Sequence, residues 1–470
     1  MAKFKQYGSV FEKLEILRAG AEGHCICKIE DRVVFVKHVV PGDICDIKII
    51  GRKKKAWFGE LVHLHQAGPG RTEAFCEHFG TCGGCKWQHM DYPHQLESKR
   101  IQVRDAMQRI GKLEVADADV LPTLGSASTT FYRNKLEYAF SDNRWLEYAK
   151  IQGEEFVTEP GLGFHIPMRF DKILHINRCW LQTDPSNAIR NFCYDWALKS
   201  GLPFYNPRSQ TGFYRNIMLR NTRSGDWMVL LTFQHDHPSI AEMLTALQNQ
   251  FPEIKSLLFA INGKVNDSIY DLDMQLFSGE DYLMETLNDL SFRIRPKSFF
   301  QTNPNQAEVL YQTAMDFANI QPNDVVYDFY CGTGTLTLLA ARSAKEVVGV
   351  ESVPQAIQDA NENAERNQIS NTHFIVGDMK SVFTDDFSAH YGKPDIIITD
   401  PPRAGMHADV VNQLNQSGAR RIVYVSCNPA TQARDLELMK EFYSVENIQP
   451  VDMFPHTHHV ECVVSLVRRG

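Results

Sequence analysis

Between residues 10 and 66 the chain alternates apolar and polar side chains in short runs: KLEILRAG, HCICKIE, RVVFVKHV, DICDIKII and AWFGELVHLH. That is the period of half-buried strands, and few helix-length patterns interrupt it. Five such strands in so short a stretch predict a small β-barrel of the oligonucleotide-binding type over residues 1–68. QAGPGR (66–71) reads as a linker, and PHQLESKRIQVRDAMQRIG predicts an amphipathic helix over 93–111. Residues 126–295 mix strands with short helices, and 69–295 are expected to form a central α+β domain, the 93–111 helix being a candidate to pack on the domain that follows. From about residue 305 the texture changes. The strands DVVYDFY, EVVGVE, THFIVGDM, PDIIITDPPR and RRIVYVSCNP are separated by helical patterns such as TLTLLAARSA and VPQAIQDANENAERNQ. Regular βα alternation predicts a doubly wound, mostly parallel, Rossmann-like sheet over 296–470.

A chain of 470 residues is too long for one ordinary domain, and its 43% hydrophobic and 23% charged content is that of a globular protein. No apolar run approaches the ~20 residues of a membrane span, and MAKFKQYGSV lacks a secretory apolar stretch. A cytoplasmic protein without membrane contact, and a monomer, is expected. A net charge of −8 leaves any nucleic-acid surface to a local basic patch. GRKKKAWF sets Arg52, Lys53, Lys54 and Lys55 beside Trp57 and Phe58, charges for phosphates next to rings for unpaired bases. A solvated hairpin tip is the alternative. FYRNKLEYAF and GFYRNIMLRN add Arg133, Lys135, Arg215 and Arg220 as candidate phosphate contacts, with solvated strand faces again the alternative.

In doubly wound sheets ligands bind beyond the carboxyl ends of the strands. Those ends carry Asp328, Glu351, Asp378, Asp400 and Cys427. Gly332-Thr333-Gly334 lets backbone approach a ligand closely. The third glycine of a dinucleotide fingerprint is replaced by Thr337, and no G-K-[ST] follows. Glu351 is placed to grip ribose hydroxyls, Asp378 an adenine amino group, and Asp328 an ammonium. An amino acid, a ribose and an adenine without phosphate describe S-adenosylmethionine. Helix capping accounts for one or two of these acids, not for the ordered series.

TDPPR (399–403) ends the fourth strand. Enzymes that methylate exocyclic amines place an aromatic residue after D/N-P-P, where this chain has Arg403, although Asp400 can still meet a base edge. Cys427 offers different chemistry. Uracil C5 is a weak nucleophile until a thiolate adds to C6 and makes an enolate. NPATQARDLELM predicts a helix start that can lower the thiol pKa from ~8.5. After methyl transfer a base must remove the C5 proton. Glu461, entering the apolar run of HHVECVVSLV beside His458 and His459, is the candidate, because a carboxylate there is costly without a role. Cys462 then faces the core.

CEHFGTCGGCKWQH sets Cys76, Cys82 and Cys85 in a C-x5-C-x2-C spacing that points to a metal. Zinc could recruit His78 or His89. An iron–sulfur cluster would want a fourth thiolate, for which Cys179 is the distant candidate. Spacing leaves both open. A cluster that takes Cys179 would pin residue 179 to this segment rather than carry electrons. Cys25, Cys27, Cys45, Cys193 and Cys331 read as core or surface residues.

DFYCGTGTLTL, TDPPRAGMH, YVSCNPATQARDL and MFPHTHHVECVVSL resemble the RNA uracil-5-methyltransferase family, which makes 5-methyluridine in tRNA and 23S ribosomal RNA. The barrel, YRNK and the cysteine cluster extend the likeness over nearly the whole chain. The barrel resembles a TRAM domain, which the tRNA branch usually lacks, so the resemblance leans to a 23S rRNA (uracil-C5)-methyltransferase. It implies Cys427 as nucleophile, Glu461 as base and Asp400 at the uracil. For S-adenosylmethionine it implies Gln301 of SFFQTN, Tyr330, Thr335, Glu351, Asp378 and Asp400, beside Gly332 of the turn. It favours a [4Fe–4S] cluster on Cys76, Cys82, Cys85 and Cys179. Tyr330 and Thr335 depart from the family's phenylalanine and asparagine. The competing expectations are an RNA exocyclic-amine methyltransferase acting through Asp400, Pro401 and Pro402, and an inactive, metal-stapled RNA-binding factor.

Overall fold

The structure is a computed structural model that describes residues 6–54, 56–146 and 158–470; Lys55 lies outside them. The chain forms two compact units. One joins the residues up to Phe75 with Gly84–Thr129 and Asn305–Gly470; the other holds Cys76–Gly83 and Thr130–Pro304.

Six strands form the N-terminal sheet: β1 (Val10–Glu15), β2 (Arg18–Ala19), β3 (Cys25–Ile29), β4 (Arg32–Lys37), β5 (Ile44–Lys53) and β6 (Ala56–Gln66), in the order β1-β5-β6-β4-β3-β2. β1 runs against β5, while β2, two residues further on, runs against β3. One chain segment therefore pairs with both edges and the sheet curls on itself, which removes its open edges. Alternate residues fill its interior, among them Cys25, Cys27, Val34, Val36, Cys45, Ile47 and Trp57. The three cysteines act as small apolar groups. Trp57 is buried, so it is not available to stack on a base; period two turns Phe58 outward instead, against Phe35 with ring centroids 5.6 Å apart.

The second unit is built on β7 (Lys135–Ser141), β8 (Gly161–Ile166), β9 (Arg169–His175), β10 (Tyr214–Asn221), β11 (Trp227–Phe233), β12 (Ile254–Ile261) and β13 (Gln275–Gly279), ordered β13-β12-β11-β10-β7-β8-β9. β14 (Leu283–Leu287) and β15 (Leu290–Ile294) form a hairpin. Two expected phosphate contacts are interior residues here. Arg215 donates to the carbonyls of Asn262 (2.6 Å) and Asn266 (3.2 Å) and lies over Tyr205, and Arg220 donates to Ser298 O at 3.2 Å. Their guanidiniums close loops of the unit, which is why a pattern of basic and aromatic residues misled.

The remaining strands are β16 (Val325–Phe329), β17 (Glu346–Glu351), β18 (Thr372–Val376), β19 (Ile396–Thr399), β20 (Arg421–Ser426), β21 (Tyr443–Val451) and β22 (Glu461–Arg468). Their order is β18-β17-β16-β19-β20-β22-β21; the first five are parallel, and β22 runs against both neighbours. Strand order reverses between β16 and β19, and a crevice opens at such a switch point. The helix Tyr92–Arg109 starts at Asp91, whose carboxylate accepts from His94 N at 3.0 Å. Its Val103, Ala106 and Met107 share one apolar core with Tyr424, Ala433, Leu436 and Cys462. Close packing of the helix after the glycine turn depends on Gly349 of β17. A Cβ there would stand 3.0 Å from Cys331 Sγ, Phe374 and Thr337 Oγ1. Gly349→Val is expected to cost about 1–3 kcal/mol, read as a lower urea midpoint. Gly51→Ala, where a Cβ meets nothing within 4 Å, should stay within about 0.5 kcal/mol of wild type.

Candidate active site

At the crevice, β16 runs into a turn held by three residues of positive φ: Tyr330 (65°), Gly332 (55°) and Gly334 (85°). Tyr330 N and Cys331 N donate to Val350 O at 2.9 and 3.1 Å, tying the turn to β17. The two glycines act differently. A Cβ on Gly334 would press on Phe374 and Ala360, whereas one on Gly332 would point into open space. Thr335 then starts a helix that runs to Ala341. Glu351 accepts from Gly332 N (3.3 Å), Val353 N (3.0 Å) and Ser352 Oγ (3.0 Å). Asp378 is exposed and caps the turn Met379–Val382, accepting from Lys380 N at 3.0 Å. Asp328 is wholly buried. Its Oδ2 accepts from Thr337 Oγ1 at 2.6 Å, and Oδ1 is buried without a partner among the described residues. Burial, and then the charges of Asp400 and Glu351, push its carboxyl up to about 7 against the pull of Thr337. The open space at Gly332, the Glu351 carboxylate on its amide and the unpartnered Asp328 Oδ1 of the same strand–turn segment fit a polar ligand that carries donors. S-adenosylmethionine, with its ammonium, amine and hydroxyls, meets that requirement. Gln301 belongs to the second unit, where its carbonyl accepts from Asn134 Nδ2 at 3.2 Å.

Four groups meet beside this turn. β20 and β22 pair antiparallel with Ser426 opposite Cys462, so the next step of the register sets Cys427, one residue beyond its strand, against Glu461, the first residue of the other. Asp400 and Arg403 complete the group. Cys427 is half-buried, Glu461 only 6% exposed, and Arg403 reaches solvent. Burial chiefly, then the charge of Asp400, pushes Glu461 up to about 8, opposed by Arg403. Burial alone pushes Asp400 up to about 7. Cys427 is pushed up to about 11 by burial, Glu461 and Asp400, with Arg403 pulling down through its charge and a hydrogen bond. The helix Pro429–Met439, capped by Asn428 on Ala430 N (3.1 Å), does begin just after Cys427. Its dipole is outweighed by two acids and desolvation, so the resting sulfur is a thiol.

The loop carrying Arg403 is anchored by residues that local pattern did not single out. Asn428 Nδ2 and Thr431 Oγ1 donate to Arg403 O at 3.0 and 3.1 Å. Arg434 donates to Ala404 O, and Asp435 accepts from Met406 N and Tyr424 OH. In sequence this is an ordinary charged helix face, so nothing signalled that it holds a loop. A cleft of about 1150 Å³ opens onto Cys427 within the first unit, lined by Arg18 and Phe35 of the barrel, by Gln102 and Arg109 of the 92–109 helix, and by His458 and His459.

The cysteine motif is divided between the units, with Cys76, Cys82 and Cys179 in the second and Cys85 in the first. Burial raises the thiols of Cys76 and Cys179. His78 Nε2 accepts from Asn177 N at 3.0 Å, and His89 Nε2 lies 3.2 Å from Val39 O. Among the described residues no three His, Cys, Asp or Glu side chains converge as a metal-binding group. The donor chemistry suits a thiolate-bound group.

The profile of the family described as tRNA (uracil-5-)-methyltransferase matches residues 221–469. Uncharacterized RNA methyltransferases of Bacteroides thetaiotaomicron and Porphyromonas gingivalis are 49% and 46% identical, over 96% and 97% of this chain and 100% and 99% of theirs. The Pyrococcus abyssi tRNA (uracil-54, C5)-methyltransferase, solved in complex with S-adenosyl-L-homocysteine, superimposes with a TM-score of 0.73 at 26% identity, covering 97% of this chain and 100% of that one.

Two measurements test the electrostatics. Alkylation of Cys427 by iodoacetamide should be slow at pH 7 and accelerate toward pH 11, and Glu461→Gln should move that profile to lower pH by removing the acid that raises the thiol more. Glu461 holds its proton more tightly folded than unfolded, where 4.5 is its ordinary value. The stability it contributes is therefore complete below about 4.5 and lost as pH rises through about 8. Glu461→Gln should gain on wild type between pH 5 and pH 9, by as much as a few kcal/mol in urea unfolding.

Proposed function

The chain belongs to the tRNA (uracil-5-)-methyltransferase family, and we propose that it methylates C5 of a uracil in RNA through a covalent adduct on Cys427. The pairing of β20 with β22, which sets Cys427 against Glu461, is the observation that carries this reading. Cys427 adds to C6 of the uracil, and electron density passes to C5 and O4. The thiol gives its proton to solvent as it adds, with Arg403 the cation at hand beside the sulfur. Asp400, which keeps a proton to about pH 7, is suited to donate to the uracil oxygen as charge develops there. S-adenosylmethionine supplies the methyl group as an electrophilic sulfonium carbon. Glu461, ionised above about pH 8, then removes the C5 proton, the C6–S bond breaks, and the sulfur is released. Glu351 and Asp378 would bind the ribose and adenine and Gly332 the close backbone approach; Tyr330, Thr335, Gln301 and Asp400 join them on the family resemblance.

The same resemblance supports 23S rRNA as substrate. A second reading, tRNA, is favoured by the Pyrococcus abyssi enzyme, whose match takes in nearly the whole of this chain, barrel included. A barrel therefore does not by itself separate the two branches. Cys76, Cys82, Cys85 and Cys179 are proposed as the ligands of a [4Fe–4S] cluster, on spacing and resemblance alone. Iron and sulfide analysis after anaerobic purification decides it, with zinc as the competing result. We place the enzyme in the cytoplasm, acting as a monomer.

With S-adenosylmethionine present, RNA carrying 5-fluorouracil should stay covalently bound to the wild-type protein, because fluorine cannot leave as a proton. Its absence would falsify the covalent route. Cys427→Ala should abolish adduct and turnover, and Glu461→Gln should trap ordinary RNA. Digests of 23S rRNA and of tRNA, methylated separately, should give 5-methyluridine from one of them; a methylated adenine or guanine would point to amine chemistry.

A further inference from the structure

β21 ends at Val451 and β22 begins at Glu461. The nine residues between them make no sheet ladder, so the direction from which the chain enters Glu461 is set by other bonds. They come mainly from the helix Tyr92–Arg109 and the segment before it. Lys99 and Asp452 have no exposed side-chain surface and are 2.5 Å apart. Lys99 also donates to Phe454 O (3.2 Å), and Tyr92 OH donates to the second oxygen of Asp452 (2.9 Å). Gln95, fully buried, accepts from His456 N at 2.8 Å and lies 3.1 Å from His456 Nδ1. Its amide also donates to Trp87 O and Met90 O. His456 O in turn accepts from Lys86 N and Trp87 N at 2.8 and 3.0 Å. Apart from the Gln95 bonds to Trp87 and Met90, which brace the 86–99 region itself, each of these bonds joins that region to residues 452–456.

A buried ion pair is a poor source of stability, since apolar residues of similar volume often do as well or better. Two charges with no exposed surface, spanning 353 positions of sequence, make better sense as a device that admits one geometry. We infer that Lys99, Gln95 and Asp452 are positioning residues, a polar clamp through which the 92–109 helix aims Glu461 at the methylated uracil. The inference rests on Glu461 being the base. None of the three touches the reacting atoms. Their effect passes through His456, Thr457 and the short segment that follows. Because the same helix lines the cleft in front of Cys427, one rigid element sets both the base and a wall of the entrance.

The clamp predicts a specific defect. Lys99→Met combined with Asp452→Asn removes both charges with little change in side-chain size. Turnover should fall roughly 10–100-fold, the scale of a small misplacement of a catalytic group. Affinity for S-adenosylmethionine and adduct formation with 5-fluorouracil RNA should stay at wild-type levels. Adduct should then accumulate on ordinary RNA, as in Glu461→Gln, because elimination alone is slowed. Gln95→Met should show the same signature and serves if the double variant does not fold. Unchanged turnover in these variants overturns the inference. So does turnover lost together with cofactor binding and adduct formation, which is what a merely structural role produces. If the wild type itself forms no fluorouracil adduct, the covalent reading fails and not the clamp.

Discussion

One antiparallel strand makes the site. Five parallel strands bring only their carboxyl ends to the crevice, so a residue at the amino end of a strand can reach that edge only if its strand runs the other way. β22 does so, beside β20. The residue leaving one strand, Cys427, then faces the residue entering the other, Glu461. A fully parallel sheet would put the two at opposite edges.

The geometry raises an electrostatic problem that the site turns to use. Two acids and a thiol share a largely desolvated space: burial raises all three, Asp400 further raises Glu461, and both acids further raise Cys427. Close to neutrality the group holds most of its protons, with the exposed Arg403 opposing the shifts of Cys427 and Glu461. For the nucleophile we propose, staying protonated until substrate arrives means less exposure to oxidation and alkylation. A base with its proton affinity near the working pH is well matched to removing a carbon-bound proton and releasing it afterwards. Around this group both flanking loops are held by side-chain hydrogen bonds. The loop after Asp400 is fastened by Asn428, Thr431, Arg434 and Asp435, and the loop before Glu461 by Lys99, Gln95 and Asp452.

Much of this was legible in the sequence. Alternation of period two marked the barrel strands, and βα alternation marked the sheet. The acids at strand ends and the single carboxylate entering HHVECVVSLV stood out because burying such groups is unfavourable unless they act. Legibility failed where local pattern has two readings. Trp57 and Phe58 are neighbours in a basic, aromatic stretch, yet the pleat sends the first inward. Arg215 and Arg220 read as surface charges, but their guanidiniums satisfy loop carbonyls inside the second unit.

The sequence by itself determined element types, the glycine turn, and the chemical groups available at each strand end, because these follow from short-range periodicity and from the expense of burying polar atoms. Only the tertiary structure decided which groups meet. Strand order and direction, and the Lys99–Asp452 contact across 353 residues, depend on how distant segments pack. Tertiary burial also determined the charge state of Cys427. The helix start suggested a lowered thiol pKa, but desolvation beside Glu461 and Asp400 raises it, and that depends on neighbours that no local stretch of sequence contains.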